Sequence, residues 1–207
     1  LKSKKFFLEI INLHNFGIDK RGSVDDEPFG GGPGMVIRPD VIEKALNSLT
    51  LKTNNYCKIF LTPSGQKLSQ TKLNNLSKHD EMLILCGRFE GVDQRAIEIL
   101  GFQEISIGDY VLSGGEIAAQ VLVEGCIRLI PGVLGHPQSL LEESFSNNLL
   151  EYPHYTRPKV WEDKQGNIHE VPDVLTSGHH DKIDKWRKQK SVEKTKNLRP
   201  DLLKKGI

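Results

Sequence analysis

Short apolar runs alternate with amphipathic segments along the chain up to residue 130. The apolar runs predict four strands, at 5–14, 56–62, 81–86 and 102–108. Apolar residues at helical spacing predict helices in four further segments, at 38–49, 63–79 (after a turn), 91–100 and 114–130. This alternation is typical of an α/β domain with a mainly parallel sheet and helices on both faces.

Individual residues refine these predictions. Residues 17–35 are rich in Gly and Pro and predict a loop. Pro39 is expected near the start of the first helix, where a missing N–H costs nothing. The core-facing residues of the last of these helices are predicted to be Ile117, Val121, Leu122 and Ile127.

The alternation ends near residue 134. Residues 135–152 are polar with scattered aromatics and predict a linker, and 153–207 predict a small, mostly helical C-terminal domain. Gly166-Asn167 marks the tip of a hairpin. Ser177 is expected to be the N-cap of a helix that carries Ile183 and Trp186.

Composition excludes few partners. The 28 Lys and Arg against 27 Asp and Glu give a net charge of +1, so any nucleic-acid site must be a local patch. The basic segment 181–205 is a candidate, although composition alone favours a solvated helical face.

The cysteines and the apolar runs indicate the compartment. Cys57, Cys86 and Cys126 lie far apart in apolar surroundings and are interpreted as buried thiols of a reducing cytoplasm. The spacing of His and Cys predicts no metal site. No apolar run is long enough to span a bilayer, and no signal peptide is recognised at the start, so we expect a soluble protein.

Three predicted strands are each followed by a glycine-containing segment: "FLTPSG", "CGRFEG" and "SIGDYVLSGGE". In parallel sheets ligands bind beyond the carboxyl ends of the strands, and glycine lets the backbone approach a ligand closely. A glycine after a strand is often only a turn, but three in succession predict one shared crevice. The dinucleotide, P-loop and GxSxG fingerprints are absent, which disfavours a Rossmann enzyme and nucleophilic hydrolysis.

Five segments together carry a family resemblance: "SVDDEPFGGGPGM", "CGRFEGVDQR", "SIGDYVLSGGE", "RLIPGVLG" and "YPHYTRP". In this order and spacing, over almost the whole chain, they resemble the bacterial tRNA (guanine-N1)-methyltransferases of the knotted α/β (SPOUT) superfamily. The resemblance implies a cytoplasmic enzyme that transfers a methyl group from S-adenosyl-L-methionine to N1 of guanine 37, beside the anticodon of tRNA. It also implies a deep trefoil knot within 1–134 and a homodimer with its active site between subunits. A Mg²⁺ requirement is left open.

The resemblance assigns the cofactor to the strand-end segments. The implied cofactor-binding residues are Phe60, Leu61, Thr62, Pro63, Gly87, Glu90, Gly91, Ile107, Gly108, Asp109, Tyr110, Val111, Leu112, Gly114 and Gly115. Composition alone would assign Ile107, Val111 and Leu112 to core packing.

The resemblance also implies two catalytic residues. Guanine N1 carries a proton that a base must remove, and negative charge then develops at O6. Glu143 is the implied base, with Glu142 as the alternative, and Arg128 is the implied cation. Relatives usually have Asp at the position of Glu143, which leaves open a knotted RNA binder without catalysis.

The tRNA is assigned to two regions. Asp25, Asp26 and the "GGGPG" turn at 30–34 correspond to positions near the flipped-out guanine. The residues implied to hold the tRNA backbone are His154, Tyr155, Arg157, Lys185, Arg187, Lys188 and Lys190. Relatives have Tyr at Phe89 and some have Pro at Ala118. They also extend beyond both ends of this sequence, so we expect the native chain to be longer.

Overall fold

The chain divides into two compact units, residues 1–135 and 136–207. The structure is a computed structural model, and it describes residues 5–133 and 143–206. None of the described helices is both long and apolar enough to cross a bilayer.

The described residues of the first unit form five strands and four helices. The strands are β1 (Asp25–Asp26), β2 (Val36–Ile37), β3 (Tyr56–Lys67), β4 (Glu81–Cys86) and β5 (Gln103–Ser106). The helices are α1 (Pro39–Asn47), α2 (Gln70–Leu76), α3 (Gln94–Leu100) and α4 (Glu116–Ile127).

A three-stranded parallel sheet, in the order β4-β3-β5, forms the centre of this unit. Tyr56 pairs with Glu81 and Ile59 with Gln103. Parallel neighbours need crossover connections, which the intervening helices provide. The mixed α/β architecture predicted from the alternating pattern is therefore confirmed.

Two apolar clusters cover the two faces of the sheet. On one face Ile59, which is fully buried, packs with Leu76 of α2 and Leu122 of α4. Phe60, the next residue along β3, packs on the other face with residues of α1 and α3. Successive side chains of a strand point to opposite faces, so β3 supplies both cores and fixes helices on both sides.

A bulge interrupts β3 where a turn is predicted. Leu61 and Gln66 both pair with Ile105, so residues 62–65 are additional to the ladder. A Cβ at Gly65 would overlap the backbone of Ile105 in β5. Only glycine therefore lets this segment bulge outward while the strand continues beside β5.

The predicted first strand, 5–14, is wrong. Residues 5–12 have no regular structure, and a short 3-10 helix follows at Leu13–Phe16. Phe7 and Ile10 are more than 80% exposed. An apolar run becomes a strand only where a neighbouring strand satisfies its backbone groups, and no described strand pairs with this one.

The four helices of the first unit are confirmed, with one correction in α4. Pro39 lies in the first turn of α1, and Asp93 caps α3 by accepting from the Arg95 N–H at 2.9 Å. In α4, Leu122 is buried as predicted, but Ile117 and Val121 are 56% and 48% exposed. Helical spacing identified an apolar stripe wider than the face that the sheet covers.

The second unit contains a hairpin and two α-helices among its described residues. The hairpin consists of β6 (Val160–Glu162) and β7 (Ile168–Glu170). The helices are α5 (Asp173–Thr176) and α6 (His180–Leu198), and a 3-10 helix follows at Pro200–Gly206. Gly166, at a φ of +83°, lies in the hairpin turn, which confirms that prediction.

The start of α6 differs from the prediction. The N-cap is His179, and Ser177 instead ends α5 and accepts a hydrogen bond from the His179 N–H at 3.2 Å. Gly178 lies between them at a φ of +72°, a left-handed conformation that separates the two helices. Ile183 and Trp186 of α6 are half-buried.

Candidate active site

A cavity of about 290 Å³ lies at the carboxyl ends of the three parallel strands. Its walls come from the bulge of β3, the turn after β4 and the segment between β5 and α4. The prediction that three strand ends share one crevice is therefore confirmed. Fourteen residues expected to bind a cofactor line this cavity: Phe60, Leu61, Thr62, Pro63, Gly87, Glu90, Gly91, Ile107, Gly108, Tyr110, Val111, Leu112, Gly114 and Gly115.

Asp109 is the exception in this set. It does not line the cavity, and its side chain is 87% exposed. Its carboxylate lies 3.2 Å from Lys67 Nζ, at the end of β3. The glycine-rich motif that contains Asp109 drew attention to it, but the carboxylate is directed to the outer surface of the segment.

Main-chain contacts join the two glycine turns on either side of the cavity. The Gly115 N–H donates to the Gly87 carbonyl at 2.9 Å, and the backbones of Arg88 and Gly114 form an isolated antiparallel β-bridge. A Cβ at Gly115 would lie 2.8 Å from the Cys86 Cα, so a side chain there would push the turns apart. The Arg88 guanidinium also lies 2.7 Å from the Glu116 carboxylate at the start of α4.

A buried serine holds the segment that follows β5. Ser106 is 4% exposed, and its Oγ donates to the Gly108 carbonyl at 2.9 Å. The Gly108 N–H lies 3.2 Å from the same oxygen. Ser106 therefore turns the backbone so that Ile107 and Gly108 lie against the cavity.

The turn after β4 has a strained backbone. Phe89 has a φ of +58°, which a bulky residue rarely adopts, and Gly91 has a φ of +112°. Phe89 is 64% exposed and lines the cavity. Sequence reasoning missed six residues that line it, although most adjoin the glycine motifs: Arg88, Phe89, Ile105, Ser106, Ser113 and Ala118.

The "GGGPG" loop is attached to the edge of this cavity. The Glu90 N–H donates to the Met35 carbonyl at 3.0 Å, and the Ile37 N–H donates to the Gly91 carbonyl at 3.0 Å. The Glu90 side chain packs against Gly34, where any Cβ would overlap it. The predicted substrate loop and the predicted cofactor turn are thus brought together.

An arginine fixes one of the acidic residues of this region. Arg38 donates to Asp26 at 3.0 Å and to Asp40 at 3.1 Å. The paired guanidinium lowers the pKa of Asp40 below its usual range. Asp25 and Asp26 form β1, which pairs with β2, so both carboxylates are carried by a short ribbon beside the cavity.

The predicted catalytic residues lie in different units. Arg128 is half-buried at the C-terminal end of α4, where a cation is favoured by the helix dipole. Glu143 is the first described residue of the second unit and is half-buried. It begins a compact segment, residues 143–151, that we call the 143–151 loop. Glu142 lies outside the described residues.

Several residues predicted to contact tRNA surround two aromatic side chains of the second unit. The Arg187 guanidinium lies 4.9 Å from the Tyr152 ring centroid, and the Tyr155 ring lies 6.2 Å from that of Trp186. His154 Nε2 lies 2.8 Å from a Glu151 carboxylate oxygen.

The remaining predicted tRNA contacts are more open. Lys185 and Lys188 are exposed on one face of α6, and Arg157 is exposed before Pro158. Lys190 is half-buried and pairs with Glu193 at 2.7 Å. The basic segment is therefore divided between exposed cations and cations engaged within the unit.

The three thiols are free, but Cys86 is only half-buried and not buried as predicted. Cys57 and Cys126 are buried, and burial raises the pKa of Cys126 to about 11. Such thiols remain protonated and unreactive at neutral pH. Within the described part of the chain, no group of three His, Cys, Asp or Glu residues is placed to hold a metal ion.

Comparison with known proteins decides the family. The family model described as tRNA (Guanine-1)-methyltransferase TrmD matches residues 1–205. A tRNA (guanine-N(1)-)-methyltransferase of Wolbachia pipientis is 49% identical over 205 residues, which are 98% of this chain and 86% of the relative. The corresponding protein of Rhodospirillum rubrum is 48% identical, over 98% of this chain and 82% of its own length. That of Agrobacterium fabrum is 46% identical, over 99% and 86% respectively.

The chain belongs to the TrmD family. Membership of this family implies S-adenosylmethionine as the methyl donor. The residues that line the cavity suit such a group. Its apolar floor, formed by Phe60, Ile105 and Ala118, suits an adenine ring. The glycine turns bring the main chain to the wall of the cavity, because glycine has no side chain that would keep a ligand away. A side chain at Gly115 would fill the space between the turns.

Proposed function

We propose that this protein transfers a methyl group from S-adenosylmethionine to N1 of guanine 37 in tRNA. The observation that carries the proposal is the single cavity that joins three glycine-bearing strand ends in a chain of the TrmD family. Its proposed place of action is the cytoplasm.

The cavity is proposed to bind the donor chiefly through its backbone. Gly87, Gly108 and Gly115 allow close approach of the main chain, and Ile107 and Leu112 supply apolar walls. When bound, S-adenosylmethionine would supply an electrophilic methyl group. The electron pair of the broken S–C bond would stay on the sulfur of the product S-adenosylhomocysteine.

Two charged groups are proposed to serve the chemistry on guanine. Glu143 accepts the N1 proton as the new N1–carbon bond forms, so the carboxylate becomes a carboxylic acid. Arg128 offsets the negative charge that develops at O6. Glutamate carries one methylene more than the usual aspartate, and the position of its backbone therefore decides whether its carboxylate reaches N1.

Two surfaces of opposite charge are proposed to contact the substrate. Lys185 and Lys188 attract phosphates, whereas Asp25 and Asp26 accept from the exocyclic amino group of guanine. The donor turn and the "GGGPG" loop share hydrogen bonds, which supports placing the flipped guanine beside the donor.

The active form is proposed to be a homodimer whose protomers both contribute to the active site. Supporting this, a set of large apolar side chains at the cavity mouth and on α4 is exposed: Phe89, Tyr110, Val111, Leu112, Ile117 and Val121. An exposed apolar patch of this kind marks an interaction surface. We also propose the trefoil knot, which the return of the chain from β5 to the turn after β4 supports.

Methyl transfer to tRNA transcripts tests the proposal. We expect turnover with a transcript that carries guanine at position 37 and none with a transcript that carries adenine there. The other nucleotides of the two transcripts are identical, so any difference in turnover is due to position 37. Methylation of both, or of neither, would contradict the assignment.

A thermal-shift assay separates the rival functions. S-adenosylhomocysteine should raise the melting temperature and NAD should not, because only a ligand of the native state stabilises it. A shift with S-adenosylhomocysteine, without turnover on tRNA, would indicate the RNA binder that lacks catalysis.

A further inference from the structure

The 143–151 loop has a strained backbone beside the proposed general base. Phe145, Asn147 and Asn148 have φ angles of +76°, +53° and +58°. Asparagine tolerates the left-handed region, but a bulky phenylalanine is costly there. Such conformations persist only where surrounding contacts hold them.

Hydrogen bonds close this loop on itself. The Phe145 N–H donates to the Leu149 carbonyl at 2.7 Å. The Glu151 N–H donates to Ser144 Oγ at 3.1 Å, so the two ends of the loop meet. Ser144 is the residue next to Glu143, and the position of the Glu143 backbone is therefore linked to Glu151.

Helix α6 anchors the closed loop through Thr195. The Leu150 N–H donates to Thr195 Oγ1 at 2.8 Å, and that hydroxyl donates to the Ser191 carbonyl at 2.6 Å. Thr195 is fully buried, at 0% exposure. Beside it, Lys194 Nζ donates to the Glu151 carbonyl at 3.1 Å.

The hydroxyl of Thr195 has a role that packing does not require. Threonine is a modest helix former, and valine would fill the same volume in the interior of α6. Replacing the hydroxyl by a methyl would leave the Leu150 N–H without its acceptor. This loss is costly because Leu150 is half-buried. The site therefore calls for a group that both donates and accepts.

We propose that Thr195 is a positioning residue for methyl transfer: its hydroxyl fixes the 143–151 loop on α6 and so sets the place of the Glu143 carboxylate. This inference rests on the proposed function. It assigns to the C-terminal helix a part in catalysis that is separate from contact with tRNA.

Matched threonine variants of the full chain test the role. Thr195→Val removes the hydroxyl at constant volume, and Thr195→Ser retains it. Thr176→Val is the control, because Thr176 is exposed and its hydroxyl only donates to the Asp173 carbonyl within α5. Ser144→Ala breaks the same chain of hydrogen bonds without altering α6.

Thr195→Val and Ser144→Ala should each lower kcat about tenfold to a hundredfold, because a misplacement of about 1 Å costs about that much in rate. Affinity for S-adenosylmethionine, measured by calorimetry, should be unchanged. Amide exchange in 149–151 should accelerate in Thr195→Val. Thr195→Ser and Thr176→Val should retain wild-type kcat.

Three results would overturn the inference. They are wild-type kcat in Thr195→Val, a failure of Thr195→Ser to retain activity, and a loss of kcat that only parallels a loss of donor affinity. If the unaltered protein failed to methylate tRNA, the proposed function would fail first, and the inference with it. An active wild type with an equally active Thr195→Val would reject the inference alone.

Discussion

The cavity of the first unit and the 143–151 loop of the second are built by different means. Backbone hydrogen bonds and glycines shape the cavity, as the contact of Gly115 with Gly87 shows. Side chains of α6 hold the 143–151 loop, chiefly Thr195 and Lys194. The cavity should therefore depend on the absence of side chains, and the loop on particular side-chain polar groups.

The largest expected effect comes from the 143–151 loop. Glu143→Gln keeps the size of the side chain but cannot accept the N1 proton as a carboxylate does. We expect kcat to fall at least about a hundredfold, the lower range for general acid–base catalysis. Single-turnover methylation of tRNA measures this loss.

Donor binding distinguishes this variant from a cavity defect. S-adenosylmethionine should bind Glu143→Gln as it binds the unaltered protein. Glu162→Gln, on the exposed hairpin, is the matched control and should be fully active. Full activity of Glu143→Gln would remove Glu143 from the role of base and direct attention to Glu142.

A smaller effect is expected in the cavity. The Cβ of Gly115→Ala would meet the backbone of Cys86 and Gly87. For Gly108→Ala the nearest atoms to the new Cβ belong to the Tyr110 side chain, which can move more easily than a backbone. We expect the Kd for S-adenosylhomocysteine to rise about tenfold or more in Gly115→Ala, since about 1.4 kcal/mol corresponds to a factor of ten.

Gly108→Ala should weaken the same binding much less. Calorimetry on the two variants compares them directly. Equal losses in both would show that crowding of the backbone does not govern this site, and the contrast between cavity and loop would then be wrong.

The smallest effect is expected at the exposed face of α6. Lys185→Gln with Lys188→Gln removes two exposed cations of α6. We expect KM for tRNA to rise a few-fold and its dependence on salt to weaken, because fewer counterions are released on binding. Donor affinity should not change.

Initial rates at two salt concentrations measure this effect. Lys52→Gln with Lys78→Gln, in the first unit, is a control of equal charge change. If both double variants altered KM equally, the cations of α6 would contribute only to net charge and form no tRNA site.

Local residue patterns predicted much of the fold and part of the candidate site. Pro39 marked the start of α1 correctly, because the missing N–H of proline is tolerated in the first turn of a helix. The three glycine-bearing strand ends predicted a shared crevice, since parallel strands end at one edge of a sheet. Glu143 has no such signal, and only the family resemblance singled it out.

Where sequence reasoning failed, either tertiary packing or an unexpected local turn made the difference. Residues 5–14 have the composition of a strand, but no described strand pairs with them. Ile117 and Val121 have the spacing of core residues, yet the sheet covers only the side of α4 that carries Leu122. Ser177 resembles an N-cap, but Gly178, at a positive φ, separates it from the start of α6.

The sequence by itself determined most of the alternating elements and the family, because those depend on short-range patterns and on motifs in order. Only the tertiary structure decided that Gly115 meets Gly87 and that Leu150 meets Thr195. The two residues are 28 positions apart in the first pair and 45 positions apart in the second. Contacts over such distances are selected by packing, which no local pattern encodes.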